Sequence, residues 1–185
     1  MRNLIFAINI TLDGCCDHTK FNPDDEIMEY FTQLVRDASA FVYGRKTYQL
    51  MVPYWPDIAK NNSGDKAENE YAKAFCSVNK MVVFSQSLNS AEAKNTEIVR
   101  ANLQYTILKL KQEEGKYILT SGVTIPLQLI ELGLVDEYRL VVHPIVVVEG
   151  RRLFDGINLH EKLQLKLVES KTFKSGSVAL RYVKQ

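Results

Sequence analysis

"KYILTSGVTIPLQLIELGLVDEYRLVVHPIVV", residues Lys116 to Val147, decides the fold. Tyr117 to Leu119 is a short apolar run that stops at Thr120-Ser121-Gly122, as a buried strand ending in a turn does. Thr124 to Leu132 then has helical spacing and is closed by Gly133. From Leu134 a long apolar run continues to His143-Pro144, where proline ends it. Strand, helix and strand in this order are the alternation of an α/β sheet.

The same alternation extends upstream. Asn3 to Ile10 reads as a strand with Leu4, Phe6, Ile8 and Ile10 on one parity, stopping at "TLDG". Pro23 and Asp24 announce a helix carrying Ile27, Tyr30, Phe31, Leu34, Val35 and Ala38 at three-to-four spacing. "SAFVY" is a buried strand broken by Gly44. A helical turn follows it, which "PYWPD" is expected to interrupt. "AKNNSGDK" is turn chemistry, and Asp65 to Val78 reads as a helix. "KMVVFSQS" is the next strand, Ala101 to Glu113 the next helix, and Leu163 to Val183 an antiparallel hairpin around "KSGS". The expected fold is a three-layer α/β/α sandwich around one mixed central sheet with a C-terminal antiparallel hairpin. One domain over residues 1–185 is expected at this length.

Composition limits the function. Apolar residues make up 46% and charged residues 24%, and the net charge is +1. No global field draws such a chain to nucleic acid or an anionic membrane, so any anion site has to be local. No apolar run is long enough for a membrane span and the N-terminus does not read as a signal peptide, so a cytoplasmic protein is expected. The three cysteines, two of them adjacent, are a poor disulfide framework. Cys15, Cys16 and His18 lack the spacing of a zinc site, and no metal is expected.

Three strands end in small or polar residues just before a helix or turn: FVY-GRKT, VVF-SQS and YIL-TSGVT. Ligands of open α/β sheets bind beyond the carboxyl ends of the strands. A helix start offers unpaired N–H groups and about half a positive charge, so Gly44 to Thr47 and Ser121 to Thr124 are suited to phosphate oxygens. Arg45 and Lys46 add full charges. The residues alone equally allow Gly44 to Thr47 to be a turn with solvated cations. Neither G-x-G-x-x-G nor G-x-x-x-x-G-K-[ST] is present, which removes the ordinary dinucleotide and triphosphate folds.

"ITLDG", "YGRKTYQLM", "VVFSQSL", "SGVTIPLQLIELGLVDEYRLVVHPIV" and "GRRLF", in this order and at these intervals, resemble the dihydrofolate-reductase-like superfamily. Within it the chain is similar to the reductase domain of bacterial riboflavin biosynthesis, the RibD C-terminal domain. The resemblance spans Asn3 to Phe154. It implies an NADPH-dependent reductase acting on a small heterocycle, with the 5-amino-6-(5-phosphoribosylamino)uracil reductase step as its narrower form. It also implies that the backbone of Ile8 and Asn9 faces the nicotinamide carboxamide and that Gly44, Arg45, Lys46 and Thr47 hold phosphates. Ser85, Gln86 and Ser87 would meet the adenosine ribose and its 2′-phosphate, and Ser121, Gly122, Val123 and Thr124 the pyrophosphate. A homodimer is implied as well.

The sequence departs from the family at two loops. A run of glycines is usual where Ser121, Val123 and Thr124 stand, and again where Val148 and Glu149 precede Gly150. The zinc-deaminase signature that often accompanies the reductase is absent. No proton donor is assigned, and Asp13, Glu26 and Glu29 are the candidates. Asp13 either faces the substrate or belongs to its Asp-Gly turn, and Glu26 and Glu29 are out of register with the family's pterin-binding acid. His143 is expected to be structural, and Trp55 either packs or lines the pocket. The alternative function is a non-catalytic nucleotide-binding or regulatory module on the same fold.

Overall fold

The computed structural model describes all residues, Met1 to Gln185. Its sheet has eight strands in the order β4-β3-β2-β5-β1-β6-β8-β7. They are β1 (Asn3–Thr11), β2 (Ala38–Gly44), β3 (Met81–Phe84), β4 (Thr96–Val99), β5 (Tyr117–Thr120), β6 (Glu137–His143), β7 (Leu165–Thr172) and β8 (Val178–Lys184). Strands β1 to β6 run parallel. β8 is antiparallel to β6, and β7 to β8. The hairpin therefore caps one edge of a parallel sheet, giving the mixed sheet that the sequence implied.

Five helices cover the two faces: α1 (Asp25–Asp37), α2 (Arg45–Asn61), α3 (Lys66–Cys76), α4 (Leu103–Gln112) and α5 (Thr124–Glu131). Alternation along β1 separates two cores. Leu4, Phe6 and Ile8 pack with Ile107 and Leu110 of α4 and Leu127 and Ile130 of α5. Ile5 and Ala7 point the other way, toward Leu34 and Val35 of α1, Val52 of α2 and Phe75 of α3. Leu4, Phe6 and Ile118 have no exposed surface, and each such side chain contributes about 1.5–3 kcal/mol by leaving water.

Local signals set most boundaries. Asp24 caps α1 by accepting the Ile27 N–H, and Asn102 caps α4 by accepting that of Tyr105. Asp65 and Glu68 form a reciprocal capping box, so α3 starts at Lys66 rather than Asp65. The largest difference from expectation is α2, which runs through Pro53 and Pro56 to Asn61. Each proline removes a backbone donor, yet Tyr48, Val52 and Ile58 stay buried along one side, and Trp55 packs at a tilt against Tyr71 of α3 with ring centroids 4.4 Å apart. Packing against α3 overrides the local break. β4 was missed, because Thr96-Glu97-Ile98-Val99 is too short to show a period.

The amino ends of the strands are tied by buried ions. Lys111 Nζ lies 2.6 Å from Asp136 and 2.8 Å from the Leu134 carbonyl, while Asp136 accepts the Leu4 N–H. Arg2 donates to the Leu110 carbonyl and pairs with Glu113. With the amino rim committed to structure, the free polar groups collect at the carboxyl rim.

Candidate functional site

At the carboxyl rim the sheet splits. β1 pairs with β5 only from Asn3 to Phe6, but with β6 from Ile5 to Thr11. From Ala7 onward the β1 edge facing β5 has no strand partner. The chain leaves β1 through α1 on one face and β5 through α5 on the other, so the split is also the topological switch point where α/β sheets bind ligands. Ile8 and Asn9 lie on this edge, where every second residue leaves its backbone N–H and C=O without a strand partner.

Two helix starts meet beside it. Gly44 precedes α2 and has no side-chain cap, and a Cβ there would stand 3.0 Å from Ile125 Cγ1. Gly122, at φ +84°, presses on α2 from the β5–α5 loop, and a Cβ there would meet Thr47 Oγ1 at 2.2 Å. Only glycine fits at Gly122, for both space and backbone. Ser121 and Val123 do not adopt positive φ, so their departure from the family's glycines leaves the loop unstrained. Arg45 and Lys46 are exposed on the first turn of α2 and form no ion pair. Arg151 extends a third cation toward the start of α5, with Nη1 3.4 Å from Thr124 Oγ1.

Further along the rim, Ser85 Oγ accepts the N–H groups of Ser87 and Leu88, at 3.2 and 2.9 Å. Arg100, from the end of β4, donates to the Leu88 carbonyl at 2.6 Å, and Gln86 donates to the Arg100 carbonyl. The fourth cation of the rim thus rests on the turn Ser85–Leu88. From β3 to β1 is three strand spacings, roughly 14 Å. A row of serines, helix starts and cations of this length suits an extended anionic dinucleotide. Arg100 follows β4, whose four residues are too few to show a period, and Arg151 of "GRRLF" reaches the rim only through the fold, by its contact with Thr124.

The carboxylate candidates have other partners. Asp13 accepts from Thr11 Oγ1 at 2.6 Å, from the Val147 and Val148 N–H groups, and from Arg152 Nη2 at 2.9 Å. The Thr11 hydroxyl, and after it the two amides, hold its carboxyl below the usual aspartate value against the opposing cost of burial. Arg152 also donates to the carbonyls of Val148, Glu149 and Gly150, so this pair clamps the loop after β6 onto the turn after β1. Val148 sits in that loop at φ +63°. A glycine would hold this backbone free of the roughly 1–2 kcal/mol that a side chain costs there. Glu26 accepts the Lys174 N–H and pairs with its ammonium at 3.0 Å, which lowers its pKa and fastens α1 to the β7–β8 turn. Glu29 is exposed on α1.

His143 ends β6, is 3% exposed, and stacks on Phe21 with centroids 4.5 Å apart. Burial lowers its pKa, against a smaller opposite pull from Asp24. Trp55 packs between α2 and α3, about 15 Å along the helix from Arg45. No group of three or more His, Cys, Asp or Glu side chains comes together as a metal site would need. Two surface hollows lie away from the rim, one around Leu50, Tyr54 and Glu68 and one around Gln128, Asn158 and His160. The second borders the start of α4, but neither has a lysine or arginine in its lining as the rim does.

Sheet order, hairpin and split together define a dihydrofolate-reductase-like α/β protein. The RibD C-terminal domain matches residues 2–179, and the chain belongs to that family. It is 37% identical to the uncharacterized protein YyaP of Bacillus subtilis (strain 168), over 98% of this chain and 94% of that protein. Among solved structures, a putative riboflavin biosynthesis protein from Shewanella sp. PV-4 superposes with TM-score 0.71 at 19% identity, covering 100% of this chain and 99% of that one. A pyrimidine reductase-like protein from Corynebacterium diphtheriae gives 0.69 at 18% identity, covering 100% and 92%. No helix is long and apolar enough to cross a membrane.

Proposed function

We propose that the chain is an NADPH-dependent reductase that transfers hydride to a small heterocycle, of the class represented by 5-amino-6-(5-phosphoribosylamino)uracil. The observation that carries this reading is the β1/β5 split flanked by two interlocked helix starts with free Arg45 and Lys46. The cradle at Gly122 and the unpaired β1 edge fit a dinucleotide lying across the rim. The nicotinamide supplies the hydride, and the protein supplies placement.

In this reading the backbone of Ile8 and Asn9 holds the carboxamide. Gly44 to Thr47 and Ser121 to Thr124 hold the phosphates. Ser85, Gln86 and Ser87 meet the adenosine ribose. A 2′-phosphate adds charge that Arg45, Lys46 or Arg100 can pair, so NADPH is preferred to NADH. The alternative, a cofactor-binding module without turnover, is favoured by the commitment of Asp13 and Glu26 to ion pairs. Loss of NADPH absorbance on adding 5-amino-6-(5-phosphoribosylamino)uracil or its dephosphorylated form supports the reductase. Cofactor binding with no oxidation by any pyrimidine or pterin supports the module.

A homodimer fits the same account. Beyond β6 the sheet face carrying Leu140, Leu180 and Tyr182 is only partly buried, and Leu167 and Val168 of edge strand β7 are 48% and 44% exposed. A second copy would cover this apolar face. A sedimentation mass of one chain at micromolar concentration refutes it.

A further inference from the structure

A chain of hydrogen bonds, buried at Ser177 and His143, ends at the cleft. Ser175 Oγ lies 3.3 Å from Ser177 Oγ, Ser177 Oγ lies 3.3 Å from His143 Nδ1, and His143 Nε2 lies 2.9 Å from Asn9 Oδ1. Ser177 and His143 are 1% and 3% exposed. Phe21 covers one face of the imidazole, Ser177 of the β7–β8 turn meets Nδ1, and Asp24 at the start of α1 is the charged group that acts on it. Only one proton arrangement satisfies the chain with the amide oxygen toward the imidazole. Nε2–H donates to Asn9 Oδ1, Nδ1 accepts from the Ser177 hydroxyl, and Ser177 accepts from Ser175. Burial keeps the imidazole neutral, which agrees with Nδ1 as an acceptor.

With Oδ1 on His143, the amino end of the amide points away from it. Asn9 Nδ2 has no protein partner, and it is not among the buried polar atoms that lack one. Its amino group therefore keeps some access to solvent. Ile5 and Ala7 of the same strand and parity pack against α1 and α2, so these donors open on the α1 side of the split. The start of α5, with Arg151 beside it, lies on the opposite face, and the start of α2 borders the split on the same face as Asn9. Asn9 is thus an oriented neutral donor at the split, where a planar ring lying beside the cofactor would meet it.

We propose that the Asn9 side chain is a substrate-binding residue that donates to a carbonyl oxygen of a pyrimidinedione-type ring, and that His143 is a positioning residue that fixes which end of the amide faces the cleft. This rests on the reductase reading and deepens it. Reversing the amide would present an acceptor and favour a ring N–H instead, so the tautomer of His143 sets the substrate's hydrogen-bond pattern at this point.

The test has three arms. Each variant is first titrated with NADP+, and 5,6-diaminouracil is then titrated calorimetrically into the cofactor-saturated protein. The wild type is expected to bind the probe, with Asn9→Asp at least tenfold weaker because it offers an acceptor to a carbonyl. His143→Leu is expected to weaken the probe at least fivefold, whereas His143→Gln, whose amide donates from near the Nε2 position, stays within threefold. Long-range proton–nitrogen spectra of the three histidines, with His143 assigned by its absence in His143→Gln, are expected to show the Nε2–H tautomer at neutral pH.

Equal probe affinity in wild type and Asn9→Asp, no probe binding by the cofactor-loaded wild type, or an Nδ1–H tautomer would each overturn the inference and leave the reductase reading standing. Failure of NADP+ to bind the wild type would instead remove the reductase reading, and the role of Asn9 in substrate recognition with it.

Discussion

Replacing Gly122 by alanine tests the interlock of the two helix starts. At φ +84° an L-residue pays about 1–2 kcal/mol in backbone strain. The new Cβ would also stand 2.2 Å from Thr47 Oγ1, far inside contact distance, and overpacking of this kind costs typically 1–3 kcal/mol. Together Gly122→Ala should destabilise the fold by about 2–5 kcal/mol, which for a chain of this size lowers Tm by roughly 4–20 °C. The two contributions separate by a second change. Thr47→Ala removes the clashing oxygen and leaves only Cβ, which would be 3.4 Å away, so the double variant should recover the overpacking share and keep the backbone share. Thermal unfolding followed by circular dichroism, with NADPH titration of each folded variant, reads both. A Gly122→Ala protein with wild-type Tm and wild-type NADPH affinity refutes the interlock.

Val148→Gly should raise stability by about 1 kcal/mol, a Tm gain of roughly 2–4 °C. Relief of the φ +63° strain exceeds the entropy that glycine adds to the unfolded chain, and an unchanged or lower Tm contradicts the strain at this loop. The pH dependence of stability should carry a histidine step. Burial depresses His143 in the fold, so below about pH 6.5 the unfolded chain binds a proton that the folded one does not. Stability is full above that value and declines as pH falls toward the folded pKa. His143→Gln should flatten the step in urea unfolding between about pH 7 and 5. Asp13 and Glu26, whose folded values are lowered, lose their contribution only at lower pH, as the medium passes down through those values.

The parallel sheet was legible because its strands are continuous apolar runs and its helices carry strong start signals, as Asp24, Asp65 and Asn102 show. The contact of the two helix starts was legible for a related reason, since Gly44 and Gly122 mark places where chain must approach chain closely. What could not be read depends on contacts between distant residues. α2 continues past two prolines because Trp55 finds Tyr71, sixteen residues on. Asp13 reads as turn or catalyst until Arg152 arrives from the other side of the fold. Asn9 had a place only through its backbone, because its partner His143 lies 134 residues away.

The most direct test of the account is calorimetric titration of the protein with NADPH and NADH, repeated with Arg45→Ala, Lys46→Ala and Arg100→Ala. Energy transfer from Trp55, about 15 Å along α2 from the expected phosphates, is a second readout. The account predicts binding of NADPH at least tenfold tighter than NADH, falling with rising salt, and reduced about tenfold by loss of a cation that pairs with phosphate. Equal affinity for the two cofactors, or binding of neither, would contradict it.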